Sequence, residues 1–173
     1  MKNTDVIAAA QEFCHRYNIS EYPVMLEPIY TALGFKDFTQ KLPKDVSGFI
    51  VAQKDNFHDY DSPKVIVVNS SESGARKRFT VMHEIAHYVL HRDNADEVYA
   101  HRDAGQNSRM ETEANLFAAN VLMPQELIDD ALENMSNMYW FEQSVESIIQ
   151  YIASKFAVST EAAAVRLRQL QYI

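Results

Sequence analysis

Residues 83–87 read His83-Glu84-Ile85-Ala86-His87, two imidazoles four positions apart with a carboxylate directly after the first. On a helix such positions share a face about 6 Å apart along the axis, so both rings can reach one tetrahedral ion. Glu84, one step round the helix, can approach a water on that ion without binding it, which suits a general base. Five-residue patterns also arise by chance, as two satisfied surface histidines. Here the pattern lies within an apolar stripe (Phe79, Met82, Ile85, Ala86, Val89, Leu90), where burying two His and one Glu without a purpose is costly. The expected ion is Zn2+, held by His83 and His87, with Glu84 as the catalytic base.

The third ligand decides the subclass. A metzincin-type site needs a Gly and a third His at fixed offsets, where this chain has Leu90 and Asp93. That class is excluded. A thermolysin-like arrangement instead takes a Glu from a later helix. His91 continues the i+4 series but stands about 12 Å along the axis from His83, too far to share its ion, and suits a helix C-terminus. Downstream, Glu111 and Glu113 both flank the apolar stripe Met110, Ala114, Phe117 and Val121, so helical phase alone does not choose. Glu111 has Asn115 at i+4, able to steady a ligating carboxylate or imidazole, whereas Glu113 has Phe117 there. This favours Glu111, with Glu113 in reserve. Ser108-x-x-Glu111 is also a capping-box pattern, in which Glu111 would only satisfy a helix terminus.

These residues need a scaffold. The 173 residues fit one domain, and 47% hydrophobic with 23% charged content excludes disorder. Four Gly and five Pro leave little material for a turn-rich all-β fold. Helices are predicted over 4–17 and 25–33, the second stopping at Gly34. Strands are predicted at 46–53 (VSGFIVAQ) and 64–69 (KVIVVN), the latter a continuous apolar run typical of an inner strand. The motif helix should start after Ser71 or Ser73 and run to about Arg92. Residues 93–108 are too polar and too long for a plain connector. Further helices follow from Ser108 to about Met123, from Pro124, and over 144–156 and 160–171. The class is α+β, mainly helical, with a small sheet packed on the H-E-x-x-H helix as in a minimal thermolysin-like core.

Formal net charge is -8, which argues against a generally basic nucleic-acid-binding surface. Between Met110 and Ser154 there is no Lys or Arg, while eight Asp and Glu contribute the whole imbalance. That stretch reads as a solvated helical face or as a surface for a basic partner. Cys14, the one cysteine, cannot form an intrachain disulfide and lies on a helical apolar stripe, which points to buried packing. With neither a signal-peptide core nor a long apolar span, the expectation is a soluble cytoplasmic protein away from membranes.

The run RFTVMHEIAHYVLH at 78–91, followed by ETEANLFAANVLMP at 111–124, resembles the ImmA/IrrE family of zinc metallopeptidases. The two upstream strand segments resemble that family's strands, and the specific part covers about 46–124. The resemblance implies that His83, His87 and Glu111 bind zinc and that Glu84 is catalytic. Met82, Ile85 and Ala86 stand where the family often has Ala, Leu and Gly, which are packing changes. Family members include cytosolic proteases that cut a helix-turn-helix repressor at one site and switch on a stress or mobile-element transfer programme. A chain of this length has no room for a fused DNA-binding or sensor domain, so the repressor would be met in trans.

For the oxyanion, Tyr88, Tyr99 and His101 are candidates, each with a structural or solvated role as the plainer expectation. An extended substrate is expected to add along the edge near VSGFIVAQ. Arg76-Lys77-Arg78 falls at the wrong end of the motif helix for cations and reads as solvated charge. Residues 143–173 have a helix-turn-helix rhythm, turning at Val158-Ser159, but carry few base-reading side chains. Packing on the core within one domain over 1–173 is the expectation. Two rivals to a zinc endopeptidase stay open: a non-proteolytic regulator or toxin–antitoxin component that binds its partner, and a DNA-binding module using the C-terminal helices.

Overall fold

The computed structural model describes residues 1–57, 60–91, 108–138 and 143–173. Along the chain run α1 (Asn3–Arg16), α2 (Leu26–Ala32), β1 (Lys36–Gln40), β2 (Gly48–Phe57), β3 (Ser62–Asn69), α3 (Gly74–His91), α4 (Ser108–Leu122), α5 (Gln125–Met138), α6 (Val145–Phe156) and α7 (Thr160–Gln169). The class is α+β, as expected. The polar segment 93–107, with Tyr99 and His101, and Glu142 of the acidic stretch lie outside the described residues.

The sheet has the order β1-β3-β2, with β2 antiparallel and β1 parallel to the central β3. The apolar run of β3 explains its inner place. Ile66 and Val68 point into the main core, while Val65 and Val67 meet Val51 on the other face. β1 was not predicted: KDFTQ has one large apolar side chain, Phe38, and every other residue is exposed. Pairing with β3, not its own pattern, makes it a strand.

Two devices, one polar and one steric, tie the sheet to α3 and its approach. Asn69, 1% exposed at the end of β3, donates through Nδ2 to the carbonyls of Leu42, Pro43 and Val46, at 3.3, 3.0 and 2.8 Å. Its Oδ1 accepts from the Leu42 amide and from the amide and hydroxyl of Ser71. One side chain thus satisfies the β1–β2 connection and the approach to α3. At Gly48 the contact is tighter, since an added Cβ would lie 2.6 Å from both Thr80 Cγ2 on α3 and the Val67 carbonyl. Only glycine lets β2 pass that close.

α3 is enclosed on more sides than a single stripe predicts. Met82, Ile85 and Ala86 are fully buried, and Thr80, Val81 and Tyr88 are buried as well, whereas Val89 from the predicted stripe is 38% exposed. Sheet and α4 cover different faces of this helix. Arg76 is solvated as expected, meeting Glu72 at 3.6 Å, but the expectation is corrected for Arg78, which is half-buried and donates to the Val24 carbonyl at 2.7 Å.

The C-terminal helices share the main core. Ile149, Ile152, Phe156, Val158, Ala163 and Leu167 cluster with Val6, Phe117 and Met82. Ala157, at φ 52°, ends α6 in the left-handed region, and Ser159 caps α7 by accepting from the Ala162 amide. Arg166, one of the cations of this rhythm, is 4% exposed and donates through Nε to the Met123 carbonyl at 3.1 Å. It is not available to a phosphate backbone.

Candidate metal centre

His83, Glu84 and His87 come from α3, and Glu111 and Asn115 from α4. Fully buried Ala86 on α3 and Ala114 and Ala118 on α4 are small enough for the two helices to pack closely. One ligand atom from each of His83, His87 and Glu111 lies within 4.8 Å of the others. The edges are shorter still: His83 Nε2 to His87 Nε2 3.1 Å, His83 Nε2 to Glu111 Oε2 3.2 Å, His87 Nε2 to Glu111 Oε1 3.3 Å. A tetrahedron with zinc–ligand bonds of about 2.05 Å has edges of about 3.3 Å. The donor set therefore has the span such an ion requires.

Tautomers point the same way. His83 Nδ1 lies 2.9 Å from Asn115 Oδ1, so Nδ1 carries the hydrogen and donates it to the amide oxygen. Nε2 then points at Glu111 Oε2 and His87 Nε2, so that three potential ligand atoms converge. Asn115 thus takes the supporting place its i+4 spacing indicated, holding the imidazole with Nε2 toward His87 and Glu111. Glu111 turns to the two histidines.

Glu84 is 2% exposed, and its carboxyl is pushed up to about 8, first by burial and then by the charge of Glu111. A group that can hold a proton near neutrality is poised to accept and return one.

Glu113 has a different surrounding. It is buried two residues further along α4, with His91 Nε2 3.0 Å from Oε2, Arg109 Nε 3.0 Å from Oε1, and the Met1 amino group also against Oε1. These donors hold its carboxyl down at about 2, led by the Met1 amino group and His91. His91 was expected only as a charge at a helix end; it is a buried partner of Glu113. Spacing alone hides this, because the pair joins two helices. Tyr88 is 6% exposed, accepts a bond from Lys64 Nζ at 2.9 Å and packs edge-on against Phe35, which makes it structural.

Residues 46–168 match the model of a peptidase family described as the IrrE N-terminal-like domain. The chain belongs to this family. The radiation response metalloprotease IrrE of Deinococcus deserti is 40% identical over 86 residues, 47% of this chain and 30% of that protein. The protein of the same name from Deinococcus radiodurans is 40% identical over 73 residues, 40% of this chain and 22% of that protein. The matched segments span less than a third of either relative. Membership of the IrrE-like family and the cluster of acceptors agree on Zn2+ as the cofactor.

Proposed function

We propose that the chain is a zinc-dependent endopeptidase that cuts a helix-turn-helix transcriptional repressor in trans, with His83, His87 and Glu111 as metal ligands and Glu84 as the general base. The observation that carries this reading is the trio of converging ligand atoms at tetrahedral edge lengths, with a buried carboxyl beside the first histidine. Bound zinc supplies a Lewis acid and an acidified water. The chain's own groups do the rest. Glu84 takes the proton of the attacking water and passes it to the leaving amine. His83 is held by Asn115, so the charge arrangement needs no reorganisation during the reaction.

The edge of β2 away from β3 pairs with no strand among the described residues, and an extended polypeptide can add there through main-chain bonds. A repressor with a basic DNA-binding face would also meet the acidic stretch on α5. There Asp130 and Asp129 accept from the hydroxyls of Tyr22 and Tyr172, and Glu133 is exposed. The name shared by the two Deinococcus relatives supports a stress-response setting. The lone Cys14, its thiol pushed up to about 11 by burial, suits a reducing cytoplasm. Among the described residues no helix is long and apolar enough to cross a membrane.

The deciding experiment incubates the zinc-loaded chain, and its Glu84→Gln variant, with the product of the neighbouring gene, tested as a helix-turn-helix repressor. Mass spectrometry should find two fragments from a single cut. Glu84→Gln should keep zinc and partner binding while cleavage falls by about 10²–10⁴-fold. If Glu84→Gln retains the full biological effect, the chain acts by sequestration and the peptidase reading fails. Charge reversal at Asp130 and Glu133 should raise KM and flatten its salt dependence; unchanged values would remove the acidic surface from recognition.

A further inference from the structure

A cavity of about 670 Å³ opens between α1, α4, α5 and α7, lined by Ile7, Cys14, Leu116, Asn120, Leu127 and Arg166 among others. It is separate from the metal centre. Asn120 follows Glu111 by nine residues, half a turn round α4, so the two line opposite faces of that helix. The volume falls within the usual range for a small-molecule site, about 300–1,000 Å³.

Arg166 makes this more than a gap. The residue is 4% exposed, its Nε is engaged by the Met123 carbonyl, and among the described residues no carboxylate pairs with it. A buried guanidinium with no carboxylate in contact is costly. Its two terminal nitrogens keep their hydrogens for whatever enters the cavity. Asn120, 7% exposed, spends Nδ2 on the Leu116 carbonyl at 2.8 Å and adds a second fixed polar side chain to the wall. Ile7, Leu116 and Leu127 supply apolar surface.

We propose that this cavity is a ligand site for a small monocarboxylate with an apolar body, its carboxylate held two-pronged by the terminal nitrogens of Arg166. A planar carboxylate matches the guanidinium fork. A single charge is favoured over a phosphate dianion, because Glu126 also lines the cavity and only one buried cation is available to offset it. The site does not depend on the peptidase reading, since it lies behind α4.

Octanoate and its neutral isostere octanamide are suitable probes, titrated by calorimetry into the zinc-loaded full chain. Cys14, the one thiol, reports on the cavity through its rate of maleimide modification. Octanoate should bind at one site at least about tenfold more tightly than octanamide and should slow modification of Cys14. Arg166→Gln should abolish the preference for the acid. Ile7→Trp, which fills the cavity from α1 and leaves the guanidinium in place, should remove binding of both probes. Equal affinity for acid and amide, undiminished octanoate binding in Ile7→Trp, or no slowing at Cys14 would each overturn the assignment. Absence of octanoate binding at millimolar concentration would do the same. If Arg166→Gln does not fold, the amide comparison and Ile7→Trp decide the matter.

Discussion

Helices α3 and α4 meet at two histidine–glutamate junctions, a turn apart and built from the same side-chain types. At one, His83 and His87 face Glu111; at the other, His91 faces Glu113. The Glu113 junction is closed: both side chains are nearly buried, and Arg109 and the Met1 amino group fill the remaining acceptor sites. The Glu111 junction is more open, with the Glu111 side chain 38% exposed and ligand atoms of His83, His87 and Glu111 converging. Identical residue types thus serve opposite ends. Where donors outnumber acceptors the pair is a clasp; where three ligand atoms converge the geometry suits a cation.

The strongest way to break the contrast is Glu111→Ala, which should weaken zinc binding by more than about 100-fold in a chelator competition while far-ultraviolet circular dichroism stays unchanged. Asn115→Ala should act on the same property less severely, by about 10–100-fold, because it frees the His83 tautomer without removing a ligand. At the closed junction Glu113→Gln should leave zinc affinity within about threefold but cost about 3 kcal/mol of stability, read as a Tm lower by roughly 8 °C. A larger zinc defect than stability defect for Glu113→Gln would mean that the two junctions are not distinct in kind.

The closed junction also has a pH signature. Glu113 is held at about 2 against an ordinary 4.5, so its contribution is fully present above pH 4.5 and is lost as the pH falls toward 2. With chelator present throughout, the urea midpoint of the wild-type chain should fall across that window. Glu113→Gln should lack this part of the fall. Smallest of all, Tyr88→Phe should cost about 1 kcal/mol through the lost bond to Lys64, with hydrolysis within about twofold. A loss of kcat beyond that would return Tyr88 to the oxyanion role.

The open junction was legible in the sequence because its logic is local. The i+4 spacing of His83 and His87 fixes their shared face, and Asn115 one turn after Glu111 separates that carboxylate from Glu113. The central strand was legible for a similar reason, since four consecutive apolar residues need cover on both sides. What escaped has partners distant in sequence. Lys36–Gln40 becomes a strand only because β3 offers a ladder, and Arg78 is drawn inward by a carbonyl 54 residues away. Asn69 reads as a turn residue until its bonds to 42, 43, 46 and 71 are seen together. The closed junction needs residues 1, 91, 109 and 113, of which only 109 and 113 share a helix.

Gly48 has a bearing on how this molecule is altered by design. Thr80, which its missing methyl accommodates, stands one turn before His83 and Glu84. The absent side chain therefore works as a gauge for the gap between the outer rim of the sheet and the helix that carries the chemistry. An alanine there would act as a shim, forcing strand and helix apart. Any effort to vary the edge of the sheet should work further along β2 and leave that position bare.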